Sequence, residues 1–129
     1  IFTNYMESED HLNRLMLIDI FLDTFPYNAH TTSSDAIRMG IPIVTLIGKS
    51  FASRVSASIL NQVNMSQLVV NNIEDFEKVA IELATKKDRL KDIKNEIKKN
   101  IQDSKLFDSL TFTKSLEKIY QDLINEKKV

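Results

Sequence analysis

A run of polar and small residues between two apolar segments carries the groups best suited to bind an anion. It extends over 23–35 and includes His30, Thr31 and Thr32, which stand directly before a predicted helix. The first turn of a helix leaves backbone N–H groups without partners and carries the positive end of the helix dipole, so the pattern predicts a phosphate site. Our hypothesis is that this segment holds the diphosphate of a nucleotide and that Asp35 accepts hydrogen bonds from sugar hydroxyls.

The same residues also permit interpretations that need no ligand. Thr32 and Asp35 stand three positions apart, so they fit a capping box in which side chains satisfy the helix start. Capping is compatible with binding, since a cap leaves other first-turn amides free. His30, considered alone, is more often a loop histidine with an internal partner than a ligand-binding group.

Composition narrows the class of protein. The chain has 129 residues, the length of one domain, with 43% hydrophobic residues, 27% charged residues and a formal net charge of −1. This charge argues against a nucleic-acid partner. The longest apolar run, 41–47, is far shorter than the roughly 20 residues of a membrane-spanning helix, so no membrane partner is expected. With no cysteine and only two histidines, no metal site is expected and a cytoplasmic location is favoured.

Short apolar runs alternate with helical segments in the first part of the chain. Strands are predicted at 1–4, 20–22, 43–47 and 68–70. Helices are predicted over 33–39 and after the cap residues Ser8 and Ser50. Gly40 is placed for a left-handed helix end. Because right-handed crossovers join parallel strands, this rhythm predicts an α/β fold: a Rossmann-like parallel sheet of about four strands, flanked by helices. Ligands of such sheets bind beyond the carboxyl ends of the strands.

The later part of the chain has a helical pattern with three apolar stripes. We therefore divide one lobe, 1–129, into an α/β sheet portion over 1–72 and a helical C-terminal tail over 73–129. The lysines of 86–99 alternate with acidic residues, which indicates a solvated helix face rather than a binding patch. Because the chain opens at Ile1 within a predicted strand, we expect it to be a piece of a longer protein.

Several separated stretches, in one unbroken register, resemble the O-linked N-acetylglucosamine transferase family. They are Leu22-Asp23-Thr24, His30 to Asp35, Gly40 to Leu46 and Ala52 to Val55. The resemblance implies that the chain is part of the second lobe of a GT-B glycosyltransferase, the lobe that binds the UDP-sugar. It also implies tetratricopeptide repeats in the full-length protein. The implied activity is transfer of N-acetylglucosamine from UDP to a protein acceptor held by regions outside this chain, with no cofactor and no metal.

The resemblance also implies roles for individual side chains of this chain. The implied substrate-binding residues are His30, Thr31 and Thr32 at the diphosphate, Asp35 at the ribose, and His11 and Arg14 beside the uridine. For Arg14, an ion pair with an acidic surface residue is the alternative. The main catalytic groups are expected outside this chain, so the fragment alone is expected to be inactive.

Two positions depart from the family pattern. Ala29 stands where the family usually has glycine, which hints at a shifted turn. Ser8 stands where the animal enzymes have a nucleotide-contacting lysine, so one cationic contact is missing.

Two other functions fit the same sequence. One is a non-catalytic α/β protein-interaction module whose helical tail docks a partner while the turn is merely capped. The other is a related enzyme with the same kind of donor, a UDP-glucose transferase or a UDP-sugar epimerase. A nucleotide or phosphate bound at the start of the predicted helix over 33–39 would exclude the first of these.

Overall fold

A computed structural model describes residues 3–126 of the chain. The strands are β1 (Phe21–Leu22), β2 (Ile43–Leu46) and β3 (Val69–Val70). The helices are α1 (Ser8–Leu15), α2 (Thr31–Arg38), α3 (Val55–Gln62), α4 (Ile73–Thr85), α5 (Lys87–Asp103) and α6 (Ser109–Glu126). Two short 3₁₀ turns lie at Phe51–Ser53 and Ser66–Leu68.

The strands form one parallel sheet in the order β1-β2-β3, which confirms the predicted α/β class. Phe21 stands opposite Ile43, and Thr45 opposite Val69. The central strand β2 is an apolar run without alternation, and its residues Ile43, Val44 and Thr45 are fully buried, so both of its faces are covered. The part of the chain that is described has three strands rather than about four. The strand predicted at 1–4 lies partly outside it, and Thr3 and Asn4 are not in a strand.

The helices that follow β3 differ in how they are held. Helix α4 packs against β2 and α5. Leu83 of α4 and Ile93 and Ile97 of α5 are buried in the same apolar core as β2. Helix α6 has no buried residue. The helical tail therefore consists of two helices that complete the core of the sheet and one that lies outside it.

Two helix starts differ from the sequence-based prediction. Ser8 is the first residue of α1 and does not cap it, because Glu7 occupies the cap position without a side-chain hydrogen bond. Helix α2 begins at Thr31, two residues earlier than predicted, and His30 holds its cap position, again without a side-chain cap bond. The capping box considered for Thr32 and Asp35 is therefore not formed, because both residues already lie inside the helix.

Two other local predictions are confirmed. Gly40 ends α2 with a φ of +76°, a conformation that side chains other than glycine rarely adopt. Ser50 accepts a hydrogen bond from the Ser53 N–H, although the element that it caps is the 3₁₀ turn before α3. Among residues 3–126, no helix is both long enough and apolar enough to cross a membrane.

A surface ion pair joins α5 to the segment before β1 and allows a pH test of the packing of α5. Lys94 Nζ donates to Asp19 Oδ1 at 2.8 Å, and this hydrogen bond, followed by the lysine charge, lowers the pKa of Asp19. A lowered carboxyl pKa stabilises the fold above the ordinary Asp pKa, and that stabilisation is lost as the pH falls through the lowered value.

We expect Lys94→Met to return the pKa of Asp19 toward its ordinary value in a carboxyl ¹³C titration from about pH 2 to 6. Asp108 is the control, because a hydrogen bond from the Thr111 side chain, rather than a lysine, is the main cause of its lowered pKa. An unchanged Asp19 titration in Lys94→Met would show that the pair is absent in solution.

Candidate functional site

The connection between β1 and α2 borders a cleft of about 540 Å³ beyond the carboxyl end of β1. This is the edge of a parallel sheet at which ligands are expected to bind. The cleft is lined by Phe21, Thr24 and the continuous segment Tyr27 to Thr32. Three of the predicted substrate-binding residues, His30, Thr31 and Thr32, therefore lie together on one wall.

The start of α2 leaves backbone donors open toward this cleft. The first hydrogen bond of the helix runs from the Ser34 N–H to the His30 carbonyl at 3.1 Å. Within residues 3–126 the N–H groups of Thr31 and Thr32 have no acceptor, and both residues are exposed. Free amides at a helix start, with the positive end of the helix dipole behind them, suit an anion.

His30 is held by two aromatic rings. Tyr27 stacks on the imidazole with ring centroids 5.2 Å apart, and Phe51 meets it edge-on at 6.0 Å. The Nε2 atom of His30 is buried without a hydrogen-bond partner. The Nδ1 atom is not among the buried unpaired atoms and has no hydrogen bond within residues 3–126, so it is the ring nitrogen that solvent can reach.

His11 and Arg14 form a separate pair on α1 and do not line the cleft. Arg14 Nη2 lies 2.8 Å from His11 Nδ1, while Nη1 donates to the Thr3 hydroxyl at 2.7 Å and to the Asn4 carbonyl at 3.2 Å. An arginine donates and never accepts, so His11 Nδ1 accepts, and the proton of the neutral ring is on Nε2. Within residues 3–126 Arg14 has no acidic partner, so the alternative of an ion pair is not observed.

Asp35 lies in the second turn of α2, half-buried, and does not line the cleft. Its carboxylate makes no hydrogen bond or ion pair with the residues from 3 to 126. The structure thus brings three of the six predicted residues into the cleft, and the other three do not line it. Over the same range there is no group of three or more acidic or histidine side chains arranged to hold a metal ion.

A buried polar network beneath the cleft was not predicted from the sequence. The carboxylate of Asp23 accepts from the Thr24 N–H at 2.9 Å, from the Ala29 N–H at 2.8 Å and from the Thr45 hydroxyl at 2.7 Å. The Asn28 amide donates to the Thr45 hydroxyl and to the Leu46 carbonyl. The available signal was a carboxylate directly after an apolar strand and a hydroxyl within the next strand, since both then lie near the same edge of the sheet.

The alanine that replaces the usual glycine of the family does not distort this turn. Between residues 3 and 126, positive φ angles occur only at Gly40 and Asn64. Ala29 therefore has an ordinary backbone conformation, which an alanine adopts without strain. The shifted turn suggested by this substitution is not required.

A second cavity, of about 640 Å³, runs along α3 and contains none of the predicted site residues. Phe51 lies between the two cavities, because it lines this one and also contacts His30. Arg54, at its edge, donates to the Gly48 carbonyl at 3.2 Å. This bond ties the start of α3 to the loop after β2.

The chain is similar in sequence and in structure to known glycosyltransferases. The family model described as Glycosyl transferase family 41 matches residues 1–116. The chain is 34% identical over 116 residues to a Solanum lycopersicum protein named probable UDP-N-acetylglucosamine--peptide N-acetylglucosaminyltransferase SPINDLY. It is 32% identical over 126 residues to the Arabidopsis thaliana protein of the same enzyme name called SEC.

These matches cover 90% and 97% of this chain but 12% and 13% of the two relatives, so the chain spans about an eighth of their length. A solved structure, a mutant O-GlcNAc transferase of Thermobaculum terrenum, superposes with a TM-score of 0.84 at 32% identity. That superposition covers 91% of this chain and 22% of the bacterial one. Sequence and backbone similarity therefore extend together over nearly the whole chain.

Proposed function

This chain belongs to glycosyltransferase family 41, and on that premise we propose that it is the nucleotide-sugar-binding part of the second lobe of a GT-B enzyme. The proposed donor is UDP-N-acetylglucosamine, and the proposed acceptor is a protein hydroxyl held by regions outside this chain. Tetratricopeptide repeats elsewhere in the whole protein and a cytoplasmic location are part of the same proposal. No cofactor besides the donor is expected.

The observation that carries the proposal is the pair of open amides at Thr31 and Thr32 beside His30, on one wall of the cleft. When the bond between the sugar and the diphosphate breaks, negative charge grows on the departing diphosphate. Donors that are already oriented toward that charge stabilise it without reorganisation. In this proposal the amides and the His30 Nδ1 donate to the diphosphate oxygens, and the chain contributes stabilisation of the leaving group.

The residues outside the cleft have proposed roles at the nucleoside. Asp35 accepts hydrogen bonds from the ribose hydroxyls. His11 presents its Nε2–H, and Arg14 its guanidinium plane, to the uracil ring. The hydrogen bonds of Arg14 to the preceding segment orient this pair before a ligand arrives. Preorganisation of this kind lowers the entropy cost of binding.

A protein-interaction role for the helical tail is a second candidate and is compatible with donor binding. Helix α6 exposes large apolar side chains at helical spacing, among them Phe112 and Ile119 at 66% and 54% exposure. An amphipathic helix without a covering surface is typical of a segment that packs against another protein part. The exposed apolar face of α6 contributes no residue to the lining of the cleft.

Titration of the 129-residue chain with UDP tests the donor-binding proposal. Three hydrogen bonds to charged groups contribute roughly 1.5–3 kcal/mol each, against an association cost of at least about 4 kcal/mol, so we expect a Kd of about 1 mM. Amide NMR signals of Thr31 and Thr32 should shift. Uridine, which lacks the diphosphate, is the matched ligand and should leave these two signals in place. The absence of any shift with excess UDP, or an equal shift with uridine, would contradict the proposal.

A further inference from the structure

We propose that Asp23 and Thr45 are positioning residues, a buried hydrogen-bonded pair that holds the peptide groups of Ala29 and so places His30 and the open amides in the cleft. The inference rests on the proposed function for its consequence in binding. Its structural claim, that the pair fixes the start of α2, is independent of any ligand. No comparison assigns a role to either residue.

The carboxylate of Asp23 is buried, with 8% of the residue exposed, and none of the ion pairs over 3–126 involves it. A buried carboxylate without a cation persists only where several donors satisfy it. Here two backbone N–H groups and one hydroxyl do so, at 2.7–2.9 Å. Because one of the N–H groups belongs to Ala29, six residues further along, the carboxylate closes the loop that carries Tyr27 and Asn28.

The hydroxyl of Thr45 links this carboxylate to a second contact. It donates its hydrogen to Asp23 Oδ2 and accepts from Asn28 Nδ2 at 2.9 Å, so its hydrogen-bonding directions are determined. Thr45 lies on the central strand and is fully buried, as is Asn28 at 1% exposure. The pair therefore fastens the loop to the buried central strand of the sheet.

Ala29 is held on its other side as well. Its carbonyl accepts from the Ser56 hydroxyl at 2.8 Å. The Ser33 hydroxyl lies 2.6 Å from the Ser56 oxygen and 3.2 Å from the same carbonyl, and its single hydrogen serves one of these two acceptors. The end of β1, the start of α2 and the buried face of α3 thus meet at the residue before His30. A small change in this residue turns or shifts the donors that follow, and binding through preformed donors is sensitive to such displacements.

Thr45→Val tests the proposal, because valine keeps the shape of threonine and removes the hydroxyl. We expect the affinity for UDP to fall about fivefold, since the donors lose their preset geometry. Thr45→Ser keeps the hydroxyl and is expected to stay within about twofold of the parent. Ile97→Val is the matched control for a general loss of stability. It lies in the core on α5 and is expected to lower the free energy of unfolding without changing UDP affinity.

A second readout needs no nucleotide. In the ligand-free chain, Thr45→Val should speed hydrogen exchange of the Ala29 amide and shift the NMR signals of Thr31 and Thr32, whereas Ile97→Val should not do so selectively. If Thr45→Val leaves these signals unchanged, the positioning claim is wrong even if UDP binds. If they change but neither parent nor variant binds UDP, the positioning claim stands and the proposed function fails.

Asp23→Asn distinguishes the loss of positioning from the loss of charge. It also replaces Thr45→Val as the test if that variant does not fold. Asparagine keeps one oxygen for the two N–H groups, but its amide nitrogen replaces the Oδ2 atom that accepts from the Thr45 hydroxyl. It also removes a negative charge from beneath the proposed anion site. Loss of charge alone would strengthen UDP binding, whereas loss of the hydrogen-bond geometry should weaken it about threefold. Stronger binding by Asp23→Asn would overturn the inference.

Discussion

His30→Phe is expected to weaken UDP binding by this chain about ten- to a hundredfold, because a hydrogen bond to a charged group contributes roughly 1.5–3 kcal/mol. Phenylalanine retains the stacking on Tyr27 and the edge contact with Phe51, so the loss should come from the missing nitrogen. The change in Kd is measured by NMR titration, and circular dichroism checks that the fold is intact.

The burial of Nε2 makes this prediction more specific. In asparagine the amide nitrogen is attached to the same carbon as Nδ1 is in histidine, whereas the glutamine amide extends toward the position of Nε2. If Nδ1 is the donor, His30→Asn should retain more UDP affinity than His30→Gln. The reverse order, or an affinity of His30→Phe equal to that of the parent, would remove His30 from the diphosphate site.

Ile97→Ala is expected to lower the free energy of unfolding by about 2–5 kcal/mol, the usual cost of truncating a fully buried isoleucine. Ile97 is 0% exposed and belongs to the same core as Ile37 of α2 and Ile43 of β2. Since domains of this size are stable by only about 5–15 kcal/mol, a loss of this size should be plain in urea unfolding.

Ile119→Ala is the matched control for this variant. Ile119 is the same residue type on α6 and is 54% exposed, so its truncation should cost less than about 1 kcal/mol. Equal losses for the two variants would mean that α6 is packed as firmly as α5. A loss below about 1 kcal/mol for Ile97→Ala would mean that α5 is not part of the core.

Local chemistry explains most of what the sequence predicted correctly. The strand around Ile43 was recognisable because a parallel strand covered on both faces is a continuous apolar run. The end of α2 was recognisable because Gly40 tolerates a positive φ. The diphosphate site was placed beside His30, and the structure puts that residue in the cleft with Thr31 and Thr32, while its binding role stays a prediction.

The starts of α1 and α2 were harder to predict. Ser8 and Thr32 have the side chains of cap residues, but such side chains also occur inside the first turn, and the packing of the helix on the sheet decides which residue is first.

The sequence also did not predict that the helical tail divides into two packed helices and one exposed helix. Helices α4 to α6 all have apolar stripes, and an apolar stripe states only that a face can be buried, not against what.

By itself, the sequence determined the α/β class and the order of the strands along the chain, because apolar periodicity and glycine chemistry act over a few residues. The anion site in the segment over 23–35 stays a prediction. Only the tertiary structure decided that Asp23, Thr45 and Ser56 meet at Ala29, that Nε2 of His30 is buried, and that α5 is buried while α6 is exposed. These outcomes depend on contacts between residues far apart in the chain, and the packing of the whole core selects among the partners that each local pattern allows.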